Sequence, residues 1–153
     1  MPVMTPAYHI ALVVEDLERA TEELSAALGL TWARFQSREV VRDTPDGLTP
    51  VEFSFVYSLE GPPHLELIEQ RPADPLLATT GLHHIGVWCD ADRQAESARL
   101  DGLGFARESV NVADDGGWVG GLYHQVAGLR VELVDIGRSG PGLCRYLAGG
   151  DYG

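Results

Sequence analysis

Short apolar runs, rich in β-branched residues, alternate along this chain with one-sided amphipathic stretches. Residues 9–14 form such a run and predict a buried strand. Asp16 then offers a helix N-cap. Leu17, Ala20, Leu24, Ala27 and Leu28 fall on one face at helical spacing, and Gly29 supplies the stop. Residues 30–35 and 39–42 read as strand with a break between them, followed by a turn over 43–47. Residues 51–57 alternate, with Phe53, Phe55 and Tyr57 on one face and Glu52, Ser54 and Val56 on the other. After the turn Glu60-Gly61-Pro62-Pro63, a strand over 64–69 carries His64, Glu66 and Ile68 on one face.

The second half repeats this order. Residues 71–80 carry two prolines and no clear period, and read as a linker. Residues 84–89 predict a strand, and Asp92 to about Gly102 a helix with the weaker stripe Ala91, Ala95 and Ala98. Strands follow over 107–112, 118–126 and 130–135, with turns at 114–117 and at Ala127-Gly128. Residues 137–153 are Gly-rich and read as an irregular tail. The two halves are copies. Within Gly81-Leu82-His83-His84-Ile85-Gly86, His84 aligns with His9 at an offset of 75 positions (84 − 9), and the register holds to Gly104-Phe105 against Gly29-Leu30. Leu65-Glu66-Leu67 likewise matches Val131-Glu132-Leu133. Each half therefore begins with a histidine on a strand and ends with a glutamate on a strand. Strand, helix and three strands, twice over, predict an α+β fold of two tandem βαβββ modules. Module one spans about 7–70 and module two about 81–136, within a single domain over 1–153. The expected form is a concave mixed sheet with helices on its outer face and matching strands related by a pseudo-twofold.

Composition narrows the class of function. The net charge of −12 excludes a surface built to hold a phosphate backbone, so no nucleic-acid partner is expected. Cys89 and Cys144 are too few for a disulfide scaffold. The first residues show no basic and apolar leader, and no apolar run approaches membrane-spanning length. A cytoplasmic location without a membrane partner is the expectation.

His9-Ile10-Ala11 with Asp16-Leu17 and Leu28-Gly29-Leu30, the later His83-His84-Ile85-Gly86 and the two strand glutamates resemble the vicinal oxygen chelate superfamily. That group includes glyoxalase I, methylmalonyl-CoA epimerase, extradiol dioxygenases and bleomycin-resistance proteins. The resemblance covers residues 7 to about 136, and Gly81-Leu82-His83-His84 is closest to the epimerase-like branch. It implies one divalent metal (Mg, Mn, Fe, Co, Ni or Zn) held by His9, Glu66, His84 and Glu132, the last also a candidate base. Two imidazoles and two carboxylates without thiolate suit such a cation. Epimerases often carry Gln where Glu66 stands, and Glu66 makes the set more like that of glyoxalase I. The resemblance is also compatible with a homodimer.

Glu52 is the second catalytic candidate. The strand is expected to bury Phe53 and Phe55 under a helix, turning Glu52 into the cup as the base that removes an α-proton in the epimerase branch. Ser54 on the same face, His64 one pleat from Glu66, and Tyr123 with Gln125 on the matching strand are candidates for the substrate lining. His83 must point away from His84 by strand alternation, either as a structural histidine or as a donor behind the metal ligands. Trp88 and Trp118 read as core or pocket wall, and Cys89 as a small buried residue. Arg34, Arg38 and Arg42 are the basic residues available for a coenzyme A phosphate. The implied function is a metal-dependent isomerase, epimerase or lyase, abstracting a proton beside a metal-chelated carbonyl of a small acyl or 2-oxo substrate. The alternatives are a protein that sequesters an antibiotic or metabolite, and an Fe(II) extradiol-type dioxygenase.

Overall fold

The computed structural model describes residues 4–89 and 92–152, with side chains from residue 7 onward. Ala91 of the expected helical stripe therefore lies outside the described residues. The elements run β1 (Met4–Val14), α1 (Leu17–Leu28), β2 (Gln36–Thr44), β3 (Gly47–Tyr57), β4 (His64–Glu69), β5 (Gly81–Cys89), α2 (Arg93–Gly102), β6 (Arg107–Val112), β7 (Trp118–Val126), β8 (Leu129–Asp135) and α3 (Ile136–Leu147). The expected order of strand, helix and three strands appears twice.

The concave sheet closes on itself. Around the barrel the strands run β1-β4-β3-β2-β6-β7-β8-β5 and return to β1. The β1–β4 and β5–β8 pairs are parallel and the other pairs antiparallel. The modules meet at two seams, β1–β5 and β2–β6. Closure removes the exposed edges that each four-stranded module would otherwise present.

Alternation then sorts the strand residues into an outer layer, covered in part by α1 and α2, and a lumen-facing layer. Asp16 caps α1 by accepting from the Arg19 amide, and Gly29 ends the helix in a left-handed conformation. Leu17 of α1 packs with Val56 and Leu67, flanked by Leu12, Val14, Ala20, Leu24 and Leu65. Leu100 of α2 packs with Val87, Cys89, Val110, Leu122 and Leu133. Leu67, Leu122 and Leu133 are wholly buried, and truncating any one to alanine costs about 2–5 kcal/mol. His124 is a pin in this outer layer. Its Nδ1 donates to the Phe105 carbonyl and its Nε2 accepts from the Ser97 hydroxyl.

Three expectations need correcting. Residues 30–35 form no strand beyond the bridge of Trp32 to Ser58, and β2 begins at Gln36. Residues 71–80 form a strap rather than a spacer. Leu77 packs into the lumen core, and both Asp74 carboxylate oxygens accept from Arg42 Nη1 at 2.6 and 2.8 Å. The Gly-rich end is mostly helix. Asp135 caps α3 by accepting from the Gly137 and Arg138 amides, and Leu143 and Tyr146 are buried against β3 and β8 residues. Tyr146 is fully buried, with its hydroxyl donating to the Arg34 carbonyl at 2.6 Å and accepting from the Tyr57 amide at 3.3 Å. Tertiary packing here outweighs poor helix propensity at Gly137, Gly140, Pro141 and Gly142.

Candidate metal centre

The β1–β5 ladder pairs His9 with Gly86, Ile10 with Ile85, and Ala11 with His84. The pseudo-twofold therefore passes through the Ile10–Ile85 pair, and each histidine faces the small residue two places beyond the other histidine. The parallel ladders add one glutamate to each side: Glu66 lies beside Ala11 on β4, and Glu132 beside Gly86 on β8. The small residues leave the middle of each row open. A Cβ at position 86 would overlap the His9 imidazole.

Four donor atoms converge in this opening. His9 Nε2 lies 2.8 Å from His84 Nε2, 3.2 Å from Glu66 Oε2 and 3.1 Å from Glu132 Oε2. His84 Nε2 lies 3.4 Å from Glu66 Oε2 and 2.9 Å from Glu132 Oε2. Donors bound at about 2.0–2.2 Å to one ion sit roughly 3 Å from their neighbours, so these spacings match a first coordination shell. Two ring nitrogens aimed at each other between two buried carboxylates have no stable arrangement without a proton or cation among them. The set fits a divalent metal, with nitrogen and oxygen donors of intermediate hardness.

The electrostatics agree. Burial opposes charge on His9, yet its hydrogen bonds to Glu132 and Glu66 and the charges of both outweigh that cost and raise the imidazole to about 9. Burial opposes charge on His84 too, and Glu132 and Glu66 raise it. Burial would raise Glu66, but hydrogen bonds and charge from His84 and His9 bring it down to about 2. Glu132 goes further down, against its own burial, chiefly through the charge and hydrogen bond of His84. The cluster is built to carry two carboxylates and a positive charge between them.

His83 stands directly behind His84. Alternation predicts that it points away, but β5 bulges against β1, pairing Leu82 with Leu12 and His84 with Ala11. His83 is the extra residue. Its Nε2 donates to the Leu76 carbonyl at 2.7 Å, and its Nδ1 lies 2.7 Å from His84 Nδ1. Burial, then the neighbouring charge of His84, lowers His83 to about 4, so the ring is neutral. With its proton committed to Leu76, His83 Nδ1 accepts from His84 Nδ1–H. That fixes the His84 tautomer with Nε2 free to bind an ion. The first module lacks this lock. Tyr8 precedes His9, its ring stacks on Trp88 at 3.8 Å, and His9 Nδ1 is buried with no partner among the described residues.

Glu66 and Glu132 open into a lumen cavity of about 170 Å³. Its wall includes Tyr8, Phe53, Phe55, Tyr57, Tyr123 and Tyr152, with Arg38, Arg42, Asn111 and Ser139 as polar members. Tyr123 is the expected lining residue that the lumen contains, its ring centroid 5.0 Å from that of His84. The other lining candidates lie elsewhere. Glu52 and Ser54 are on the outer face of β3, because the closed barrel takes the aromatic face inward and sets Val56 beneath α1. The Glu52 side chain is 57% exposed and 3.6 Å from Arg71 Nη2, while Ser54 Oγ bonds Ser37 Oγ at 2.7 Å. Gln125 is exposed and donates to Glu108. His64 is buried, but its Nδ1 donates to the Ser58 carbonyl and braces the β3–β4 turn. Trp118 packs in the outer layer under α2 and Cys89 is buried there, whereas Arg34 pairs with Asp151 at 3.1 Å outside the lumen.

Sequence reasoning missed the small residues Ala11 and Gly86 and the lumen residue Tyr152, whereas Arg38 and Arg42, two of the three basic residues it singled out, do line the lumen. The signal for the first pair was present: each copy reads His-Ile-small. Tyr152 belongs to the stretch read as an irregular tail, and nothing local marked it.

Fold and site together define a paired-βαβββ protein with a buried two-histidine, two-glutamate cluster between its modules that could hold a metal ion. Residues 8–119 match the model of the Glyoxalase/Bleomycin resistance protein/Dioxygenase superfamily, and the chain belongs to that superfamily. Among solved structures, it is similar to Streptomyces coelicolor methylmalonyl-CoA epimerase in complex with 2-nitronate-propionyl-CoA. That match has a TM-score of 0.60 at 17% identity, covering 86% of this chain and 94% of that one. Methylmalonyl-CoA epimerase from Mycobacterium tuberculosis matches with a TM-score of 0.61 at 15% identity, over 88% and 90% of the two chains. A hypothetical protein from Bacillus halodurans matches with a TM-score of 0.59 at 14% identity, over 84% and 92%. No curated protein matches the sequence.

Proposed function

We propose that the protein is a divalent-metal-dependent isomerase, epimerase or lyase that moves a proton beside a carbonyl of a small acyl or 2-oxo substrate. The observation that carries this reading is the convergence of His9 Nε2, His84 Nε2, Glu66 Oε2 and Glu132 Oε2 at the base of an aromatic-walled cavity. A bound cation supplies Lewis-acid polarisation of the carbonyl.

The residues of the chain supply the rest. With a cation bound, His9 and His84 would present neutral nitrogens to it, and His83 holds His84 in register. Glu132 Oε2 faces the histidines, while Oε1 turns toward Gly121, lying 3.4 Å from where a Cβ at that position would stand. The Tyr123 hydroxyl lies 3.4 Å from the same point. The position of Glu132 Oε1 supports it as the base for the α-proton of a substrate resting on Gly121. Burial, then the charges of Glu132 and Glu66, raises Tyr123 well above its ordinary value, so its hydroxyl stays protonated and can donate to developing negative charge. Among the described lining residues, Glu66 and Glu132 are the only carboxylates in the lumen, and they sit on opposite sides of the pseudo-twofold. Return of that proton by Glu132 to the carbon beside the α-position isomerises the substrate; inversion of the α-centre needs a proton relayed from solvent by way of Glu66 to the opposite face, with Glu132 giving its own proton up to solvent. The aromatic wall limits water at the reacting carbon. Glu66 as a second carboxylate distinguishes the site from the two-His-one-carboxylate set of Fe(II) oxygenases. Among the described residues no helix is long and apolar enough to cross a membrane.

The test is solvent exchange. Metal-loaded protein should wash deuterium from D2O into the α-position of a 2-oxo acid or acyl thioester, followed by proton NMR, and Glu132→Gln should abolish it. Exchange unaffected by that substitution would remove Glu132 as the base. Failure of the protein to bind a divalent metal would favour sequestration of a small molecule instead.

A further inference from the structure

We propose that the substrate of this cavity carries a carboxylate at the end remote from its metal-chelating oxygens, and that Arg38, backed by Arg42, receives it. The inference rests on the metal reading above and deepens it to a substrate class: compact oxo acids bearing a second carboxylate.

The barrel order sets the distance relation. His9, Glu66, His84 and Glu132 come from four strands contiguous around the barrel, β4-β1-β5-β8. In a ring of eight, β2 stands opposite β5. The lumen face of β2 presents Arg38, Val40 and Arg42. Two guanidiniums therefore face the metal ligands across the cavity, in a chain whose net charge is −12.

Charge pairing in the cavity leaves one cation over. A bound divalent ion would balance the two glutamates. Arg42 is balanced by Asp74, with both side chains 9% exposed. Arg38 has no carboxylate partner among the described residues. Its Cζ lies 5.2 Å from the Tyr152 ring centroid and 5.7 Å from that of Phe55, which keeps the guanidinium at the cavity wall. Arg42 adds a second observation. Only its Nη1 is engaged by Asp74, and its buried Nε donates to nothing among the described residues. A buried, unsatisfied N–H on a charged group is costly, and an anion in the lumen would relieve it.

Size then separates two sources of negative charge. A cavity of about 170 Å³ lies well below the roughly 300–1,000 Å³ of sites that hold drug-sized ligands, so a coenzyme A phosphate does not enter it. The anion must belong to the reacting molecule. A planar carboxylate matches the fork of a guanidinium and neutralises the single leftover charge. A 2-oxo acid with one carboxylate would spend that group on chelation and leave Arg38 unused.

Calorimetric titration of the full-length, manganese-loaded protein with pyruvate and with 2-oxoglutarate tests the assignment. Both probes can chelate through neighbouring oxygens; only the second has a remote carboxylate. The second should bind at least about tenfold tighter, and Arg38→Gln should erase that advantage while leaving pyruvate and manganese affinity unchanged. Arg38→Lys should keep part of the advantage, since charge persists without the fork. Equal affinities in the parent protein, absence of binding by both probes, or an equal loss for both in Arg38→Gln would overturn the proposal. The last outcome would leave Arg38 as packing for Tyr152. Failure to load manganese or another divalent ion would instead sink the metal reading itself.

Discussion

Gly86 lies directly across the β1–β5 ladder from His9, and its missing side chain is the space that the His9 imidazole occupies. A methyl group there cannot be absorbed by a flexible neighbour, because the ring is wholly buried. Gly86→Ala should displace His9 Nε2 from the other three donors. The expected result is a fall in divalent-metal affinity of at least the roughly 10–100-fold seen when a supporting group is lost. Overpacking should also cost about 1–3 kcal/mol of stability. Titration calorimetry and denaturant melts check the two effects separately.

His83 should matter to metal binding although it does not point at the metal. His83→Phe keeps a ring but removes the acceptor for His84 Nδ1–H, freeing His84 to adopt the wrong tautomer or to turn. Metal affinity should drop about 10–100-fold. A metal isotherm for His83→Phe that overlays the parent would show that the hydrogen bond does not hold the ligand.

Stability of the metal-free protein should depend on pH in a specific window. His9 is raised from 6.5 to about 9, so its contribution is full below about 6.5 and is lost as pH rises through about 9. Glu66 is lowered from 4.5 to about 2, so its contribution is full above about 4.5 and is lost as pH falls through about 2. Between those limits the cluster contributes most. A bound metal needs neutral imidazoles and releases protons on binding, so saturating metal should flatten the alkaline decline. Thermal melts across pH with chelator and with metal test this; parallel alkaline declines under both conditions would contradict it.

Glu52→Gln should leave metal affinity and proton exchange within about twofold of the parent, because Glu52 sits outside the barrel beside Arg71. A loss of exchange comparable with that of Glu132→Gln would place the base on the wrong side of the sheet in this account.

The doubling of the chain, together with the superfamily resemblance, made the four converging residues legible in the sequence. His9 and His84, Glu66 and Glu132 hold equivalent strand positions, and the ladders bring equivalent positions together about one axis. Strand alternation in β3 was equally legible, but its direction was not. The pattern of Phe53, Phe55 and Tyr57 against Glu52, Ser54 and Val56 fixes which residues share a face; only barrel closure decides which face is the lumen. An apolar face in the lumen looks, from sequence, like an apolar face under a helix. His83 escaped alternation through a bulge that local residues do not announce. The α3 helix was hidden for a different reason. Its glycines and Pro141 argue against a helix, and the burial of Leu143 and Tyr146 that stabilises it is entirely non-local.

Metal titration of chelator-stripped protein is the most direct test of the four-residue centre. One divalent ion should bind per chain. Alanine at His9, Glu66, His84 or Glu132 should each weaken binding by more than the roughly 10–100-fold lost on removing an outer partner. The absence of saturable binding, or binding that survives all four substitutions unchanged, would contradict it.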